Sequence, residues 1–229
     1  MSVYVGRITE VCLDSLGKLQ VRIACPSGAI PGAGQYLRAW VPGDEQQALP
    51  LCLFPAEMQE NGFLAAPPAP ANWLPGMRLQ LYGPLGAGFH IAPGVRRLAL
   101  AAFGETPSRL LPLIPIALAQ QADVTLFSEL NPALLPPSVE VSSLNDLPEA
   151  IRWADFLALD ITPQILPTLR QRLGLKANEP LSLKAQALVN AVMPCAGVAE
   201  CGVCAIPARR GWKLACLDGP VFDLADLEW

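Results

Sequence analysis

Four cysteines constrain this chain more than any other feature: Cys195, Cys201, Cys204 and Cys216 follow the spacing C-x5-C-x2-C-x11-C. Three thiols on so short a stretch require a tight loop, and the segment AIPARRGWKLA brings the fourth back to it. Sites for a 2Fe-2S cluster of the plant type use C-x4-C-x2-C plus a distant cysteine, because a compact loop must wrap the cluster and aim backbone N–H groups at its sulfurs. Gly197 and Gly202 suit such a loop, since a residue without Cβ permits both left-handed backbone and close approach. Zinc is the rival metal. Four-cysteine zinc sites usually pair two short C-x2–4-C knuckles, and only one such knuckle is present. The spacing therefore points to a 2Fe-2S cluster on these four residues, with structural zinc as the alternative.

The remaining cysteines argue against a disulfide scaffold. The total of seven is odd and the clustered four are unevenly spaced, which fits a reducing compartment better than a secreted framework. Cys12, Cys25 and Cys52 stand singly in apolar surroundings and read as small core hydrophobes. With a net charge of −4 and no Lys/Arg cluster, the chain offers no footprint for a phosphate backbone, so nucleic acid is not expected as a partner. The most apolar stretch, residues 110–119, is broken by Pro112 and Pro115 and falls well short of the roughly 20 residues a transmembrane helix needs. MSVYVGRITEV has no basic region followed by an apolar one, and a cytoplasmic location is the expectation. Only 16% of the residues are charged, against about 25% in ordinary soluble domains, so part of the surface is expected to be covered by a partner.

Two grammars divide the chain. Up to about residue 95, short apolar runs (VYVGRITEV, KLQVRIAC, GQYLRAWV, LPLCLFP, RLQLYG) separated by Gly/Pro turns predict an antiparallel β-barrel. The stretch 63–75, FLAAPPAPANWLP, is rich in proline and reads as an edge segment or loop. From residue 96 to 181, strands RLALAAF, VTLF, VEV and FLALDI alternate with helices, which predicts a parallel α/β sheet. The helices are expected after Thr106-Pro107, from Asp146 with Pro148 in its first turn to Ala154, and from Thr162-Pro163 to Gly174. Residues 182–229 form the cysteine-bearing module.

At this point a family resemblance enters. The stretch from Met193 to Trp229, with Cys216-Leu217-Asp218-Gly219-Pro220-Val221-Phe222 at its centre, resembles the C-terminus of the electron-transfer subunit of dihydroorotate dehydrogenase. GPLGAGF, residues 83–89, resembles the end of that family's flavin-domain barrel, and Gly34-Gln35-Tyr36 is similar to its Pro-Gly-Gln-Phe. The resemblance implies a ferredoxin-reductase-like build: a barrel for FAD, a Rossmann-like α/β domain for NAD, then a 2Fe-2S module passing electrons to the flavin of a catalytic partner in a heteromeric complex. It makes Gln35, Tyr36, Gly83, Gly86 and Gly88 the FAD candidates.

The nucleotide motifs depart from the family. Its Arg-Pro-x-Ser is replaced by Leu49-Pro50-Leu51-Cys52, which removes a bidentate phosphate contact and a hydroxyl. Its Gly-rich loop has become Ala101-Ala102-Phe103-Gly104-Glu105-Thr106-Pro107, where Glu105 would face a ligand's negative charge. Its Cys-Gly-Pro turn has become Leu159-Asp160-Ile161. NAD binding is therefore not expected, and FAD binding is left open. His90, the single histidine, reads as a surface or packing residue. Asp155, Asp160, Asp223 and Asp226 read as solvated or capping carboxylates rather than an acid/base pair. Arg209-Arg210 and Lys213 read as a solvated hairpin, with Trp212 and Trp229 as packing or interface anchors. The expected function is an electron-transfer subunit without a catalytic centre of its own; the alternative is a former reductase retained as a scaffold, its cysteines holding a structural cluster or zinc.

Overall fold

The computed structural model describes residues 2–43, 49–130, 132, 135–195 and 197–229. Seven strands form the first sheet: β1 (Val3–Leu13), β2 (Leu19–Ala24), β3 (Tyr36–Trp40), β4 (Leu51–Leu53), β5 (Pro55–Gln59), β6 (Gly62–Ala65) and β7 (Arg78–Leu85). They are antiparallel in the order β4-β3-β7-β1-β2-β6-β5. The sheet wraps around Ile8, Val21, Ile23, Leu37, Phe63, Trp73, Leu79 and Leu81, all buried, and the result is barrel-like. β1 shows the sequence logic of a half-buried strand, with Gly6 and Ile8 inward and Val5, Arg7 and Thr9 outward.

The second sheet has six strands in the order β10-β9-β8-β11-β12-β15. These are β8 (Arg97–Ala102), β9 (Asp123–Ser128), β10 (Val139–Ser142), β11 (Phe156–Ile161), β12 (Lys184–Val189) and β15 (Val221–Asp223). All pair in parallel except β15, which returns antiparallel to β12. Every residue of β11 is buried, as expected where helices cover both faces of a parallel sheet. Helix α1 (Leu113–Ala119) covers one face; α2 (Leu147–Trp153) and α3 (Leu166–Arg172) cover the other. In α2, Leu147, Ala150, Ile151 and the capping Ala154 recur at helical spacing and face the core. Between β12 and β15 lie the cysteine loop and a hairpin of β13 (Ala205–Ala208) and β14 (Gly211–Leu214).

Several expectations need correction. Residues 63–65 are not an edge: β6 sits between β2 and β5, because the prolines begin only at Pro67, after the strand has ended. Of the prolines that lie in strands, Pro55 is in β5 at the edge of the first sheet, a position where proline is tolerated. No helix follows Thr106 directly. Turns lead to α1 at Leu113, and Pro115 then falls in the first turn, where its missing N–H would have had no intrahelical partner. Thr162-Pro163 opens a short 3₁₀ turn that runs into α3, and Gly174 ends it with φ +67°. Residues 184–189, placed by sequence in the cysteine-bearing module, are a strand of the α/β sheet.

Candidate metal centre

The loop carrying the first three cysteines leaves β12 and coils tightly. Gly197, Ala199 and Gly202 all have positive φ, at +95°, +65° and +68°. Successive residues of this kind turn backbone N–H groups toward a common concavity, a shape that favours anions. Here the N–H groups of Gly197, Val198 and Ala199 favour the thiolate of Cys195, and that of Ala199 also favours the thiolate of Cys216. Burial alone would raise the Cys195 thiol, but the hydrogen bond with Cys201 and those three N–H groups bring it down to about 6. The Cys216 thiol is pushed up to about 12 by burial and by its hydrogen bond with Cys204.

The strongest electrostatic influences among the thiols run within the pairs Cys195 with Cys201 and Cys204 with Cys216, and Cys216 also feels Cys195. Among the described residues, no three His, Cys, Asp or Glu side chains converge as ligands of one metal ion would. Cys204 and Cys216 are buried and Cys201 is exposed, so the centre reaches from the core to the surface.

The first sheet supports this loop directly. Tyr36 of β3 is fully buried, and its hydroxyl donates a hydrogen bond of 3.0 Å to the Cys216 carbonyl. A Cβ on Gly197 would stand 2.5 Å from the same hydroxyl, so only glycine lets the loop lie this close. The two stretches that carried the family resemblance also touch. Ala87 of GPLGAGF bridges to Pro220, its N–H donating to the Gly219 carbonyl at 2.6 Å, and a Cβ on Gly86 would strike Pro220.

The flavin candidates lie among close contacts between neighbouring segments. The Gln35 amide accepts from the Gly32 N–H and donates to the Gly86 carbonyl. A Cβ on Gly83 would stand 3.0 Å from Leu37, and one on Gly88 2.7 Å from the Ala33 carbonyl oxygen. Leu49 is exposed. Cys25 is buried and Cys12 and Cys52 are half-buried; Cys52, raised to about 12 by burial and then by the field of Cys195, lies near the centre without belonging to either thiol pair. His90 is exposed, with its N–H bound to Gln186.

Two carboxylates differ from expectation. Asp160 is not solvated: it is 0% exposed and receives Nε and Nη2 of Arg109, itself 8% exposed, at 2.9 and 3.2 Å. Burial pushes the Asp160 carboxyl up, against the lowering pull of Arg109. Glu105 does not stand alone before a ligand; Lys18 of the first sheet's opening hairpin grips its carboxylate at 2.5 Å. Asp155 binds Arg97 at 2.7 Å. Sequence reasoning missed Arg109 and Lys18 because their partners are 51 and 87 residues away.

Around the centre the surface is apolar. Val192, Val198, Val203 and Leu217 are exposed, as is Trp212 beside Arg209 and Arg210 at the tip of the β13–β14 hairpin. Trp229, by contrast, packs under Arg170 and donates its Nε1–H to the Leu224 carbonyl. No helix among the described residues is long and apolar enough to cross a membrane.

Comparison with known proteins places this geometry. Residues 190–228 match the iron-sulfur cluster binding domain of dihydroorotate dehydrogenase B. The whole chain superposes on a structure of an NADH-dependent reduced ferredoxin-NADP oxidoreductase, solved in the context of flavin-based electron bifurcation. That match has a TM-score of 0.73 at 16% identity and covers 98% of this chain and 90% of that one. The ferredoxin reductase of carbazole 1,9a-dioxygenase matches with a TM-score of 0.56 at 17% identity, over 78% of this chain and 64% of that one. The Amycolatopsis cytochrome P450 reductase matches with a TM-score of 0.56 at 15% identity, over 78% and 68%. No curated protein matches the chain. Residues 190–228 are thus similar to the iron-sulfur cluster binding domain of dihydroorotate dehydrogenase B, and the chain as a whole has a ferredoxin-reductase-like fold.

Proposed function

We propose that this chain holds a 2Fe-2S cluster on Cys195, Cys201, Cys204 and Cys216 and relays electrons to or from the flavin of a catalytic oxidoreductase subunit in a heteromeric, cytoplasmic complex. The observation that carries the proposal is the tight loop bearing three of the cysteines, with left-handed backbone at Gly197, Ala199 and Gly202, inside residues that match an iron-sulfur cluster binding domain. Backbone N–H groups gathered by such a loop suit the sulfurs of a cluster, whereas a four-cysteine zinc site usually pairs two short knuckles. The donor set fits: it is all sulfur, with the loop dipoles oriented to hold negative charge. When bound, the cluster supplies one-electron transfer.

The protein's own residues do the rest. Tyr36 and Gly197 hold the loop against the first sheet, Ala199 shares its N–H between the two thiol pairs, and Cys201 brings the centre to the surface. The exposed Val192, Val198, Val203 and Leu217 support docking of a protein there, since apolar patches of this kind usually mark interaction sites. Residues 1–95, 96–181 and 182–229 are the proposed units, the last lending two strands to the sheet of the second.

The test is elemental and spectroscopic. Protein purified under reducing, anaerobic conditions is expected to contain iron and acid-labile sulfide in equal amounts, with a visible spectrum bleached by dithionite. Cys195→Ala and Cys204→Ala should each abolish that spectrum, one from each thiol pair. Stoichiometric zinc without iron would overturn the proposal in favour of the scaffold reading.

A further inference from the structure

The order of the second sheet locates a crevice independently of any motif. From β8 the chain steps to β9 and β10 on one side, and from β11 to β12 on the other, so the winding reverses between β8 and β11. In open α/β sheets, ligands enter outside the carboxyl ends of the strands at such a reversal. A cleft of about 420 Å³, large enough for a small ligand, lies there. Phe103, Gly104, Glu105, Thr106 and Arg109 line it after β8, Thr162 after β11 and Asn190 after β12, while Lys18, Pro67 and Pro68 face it from the first sheet.

What a dinucleotide needs in this place is positive charge and free N–H groups for its diphosphate. Both cations of the cleft are already matched. Arg109 makes a bidentate pair with Asp160, which ties the segment after β8 to β11 across the point of reversal. Lys18 is held by the Glu105 carboxylate and by the Glu105 carbonyl at 3.2 Å. Part of the neighbouring backbone is committed as well. The Phe103 N–H goes to the Asp160 carbonyl, the Ser108 N–H to the Thr106 hydroxyl and the Leu110 N–H to the Pro107 carbonyl, while Pro107 and Pro112 have none to offer.

We infer that this cleft is closed to dinucleotides from within, Arg109–Asp160 and Lys18–Glu105 being intramolecular substitutes for the diphosphate contact. The chain binds neither NAD(P)(H) nor FAD in the cleft. Its consequence for electron flow rests on the cluster reading: no nucleotide seated in this cleft exchanges electrons with the cluster. The closure itself is independent of the metal.

The experiment titrates the purified holoprotein with NADH, FAD and ADP by calorimetry, and measures iron and visible absorbance on the same sample. No saturable binding is expected up to about 1 mM, the upper end of ordinary substrate affinities. Glu105→Ala, which frees the exposed side of the cleft and should not disturb folding, is expected to give measurable, salt-sensitive ADP binding. Asp160→Asn combined with Glu105→Ala should strengthen it by a further factor of roughly ten, the effect of one charge-assisted contact of about 1.5 kcal/mol. Micromolar binding of NADH or FAD by the unaltered chain overturns the inference. So does the absence of any gain in Glu105→Ala with an unchanged circular dichroism spectrum, even if the double variant fails to fold. Protein without iron that still ignores nucleotides would refute the cluster reading and leave the closure standing.

Discussion

Replacing Gly197 with alanine tests whether the cysteine loop depends on the first sheet. The substitution should be costly for two separable reasons. At φ +95° a residue with a Cβ loses about 1–2 kcal/mol relative to glycine. The new methyl also lands 2.5 Å from the Tyr36 hydroxyl, in a buried place, and overpacking of this kind costs about 1–3 kcal/mol. Together Gly197→Ala should lose about 2–5 kcal/mol. Tyr36→Phe alone should cost about 1–3 kcal/mol, because the Cys216 carbonyl loses its donor. In the double variant the clash is gone while the backbone strain remains. The two substitutions should then couple favourably, by about 1–3 kcal/mol against their sum. A bound cofactor spoils two-state analysis, so denaturation should be followed by far-UV circular dichroism and visible absorbance in parallel. Strict additivity, to within about 0.5 kcal/mol, would refute the claim that Tyr36 is what Gly197 makes room for.

Further outcomes follow from other parts of the fold. Asp160→Ala should destabilise by about 3–5 kcal/mol, since it strands the buried Arg109 charge; a change below about 1 kcal/mol in denaturant titration would show the pair to be solvated. Leu159→Ala, in the fully buried β11, should cost about 2–5 kcal/mol in the same assay. Trp212→Ala should leave the denaturation midpoint unchanged, because the side chain is exposed, while weakening co-purification of the partner subunit. The hydrogen bond from the Arg97 side chain, then those from the Arg96 and Arg97 N–H groups, hold the Asp155 carboxyl below its ordinary value of about 4. A depressed carboxylate contributes stability above the unfolded pKa and loses it as pH falls through the folded one. In denaturant titrations across pH, Asp155→Asn should therefore lower stability at neutral and alkaline pH, flatten the fall on the acid side, and converge with the unaltered chain at low pH.

The parts of this fold legible in sequence are those written locally. The ligand spacing of the cysteines is confined to one loop and its return. The helix starts at Asp146 and Thr162 are marked by the prolines that follow them, though neither side chain makes a capping hydrogen bond, and the buried run FLALDI needs no partner to be recognised as a central strand. What escaped was set by tertiary contact. Lys18 meets Glu105, and Arg109 meets Asp160, only once the sheets are assembled. β6 was hidden because the prolines that follow it dominate the composition of its neighbourhood, though none lies within the strand. Nor does any pattern in the residues around Tyr36 announce that its hydroxyl reaches Cys216, 180 positions away.

The return of β15 to β12 has a mechanical consequence for electron transfer. The chain leaves the sheet after Val189 and re-enters it at Val221, and the two points are adjacent: Leu188 sits opposite Val221, and the Val189 N–H bonds the Pro220 carbonyl at 2.9 Å. A carrier that shuttles between donor and acceptor needs a slack tether at one end at least. This one is stitched to the same border at both ends and leans on Tyr36 in the middle. On the proposed cluster reading this makes the module a fixed terminal, not a swinging arm, so donor and acceptor would each have to be brought within tunnelling distance of it.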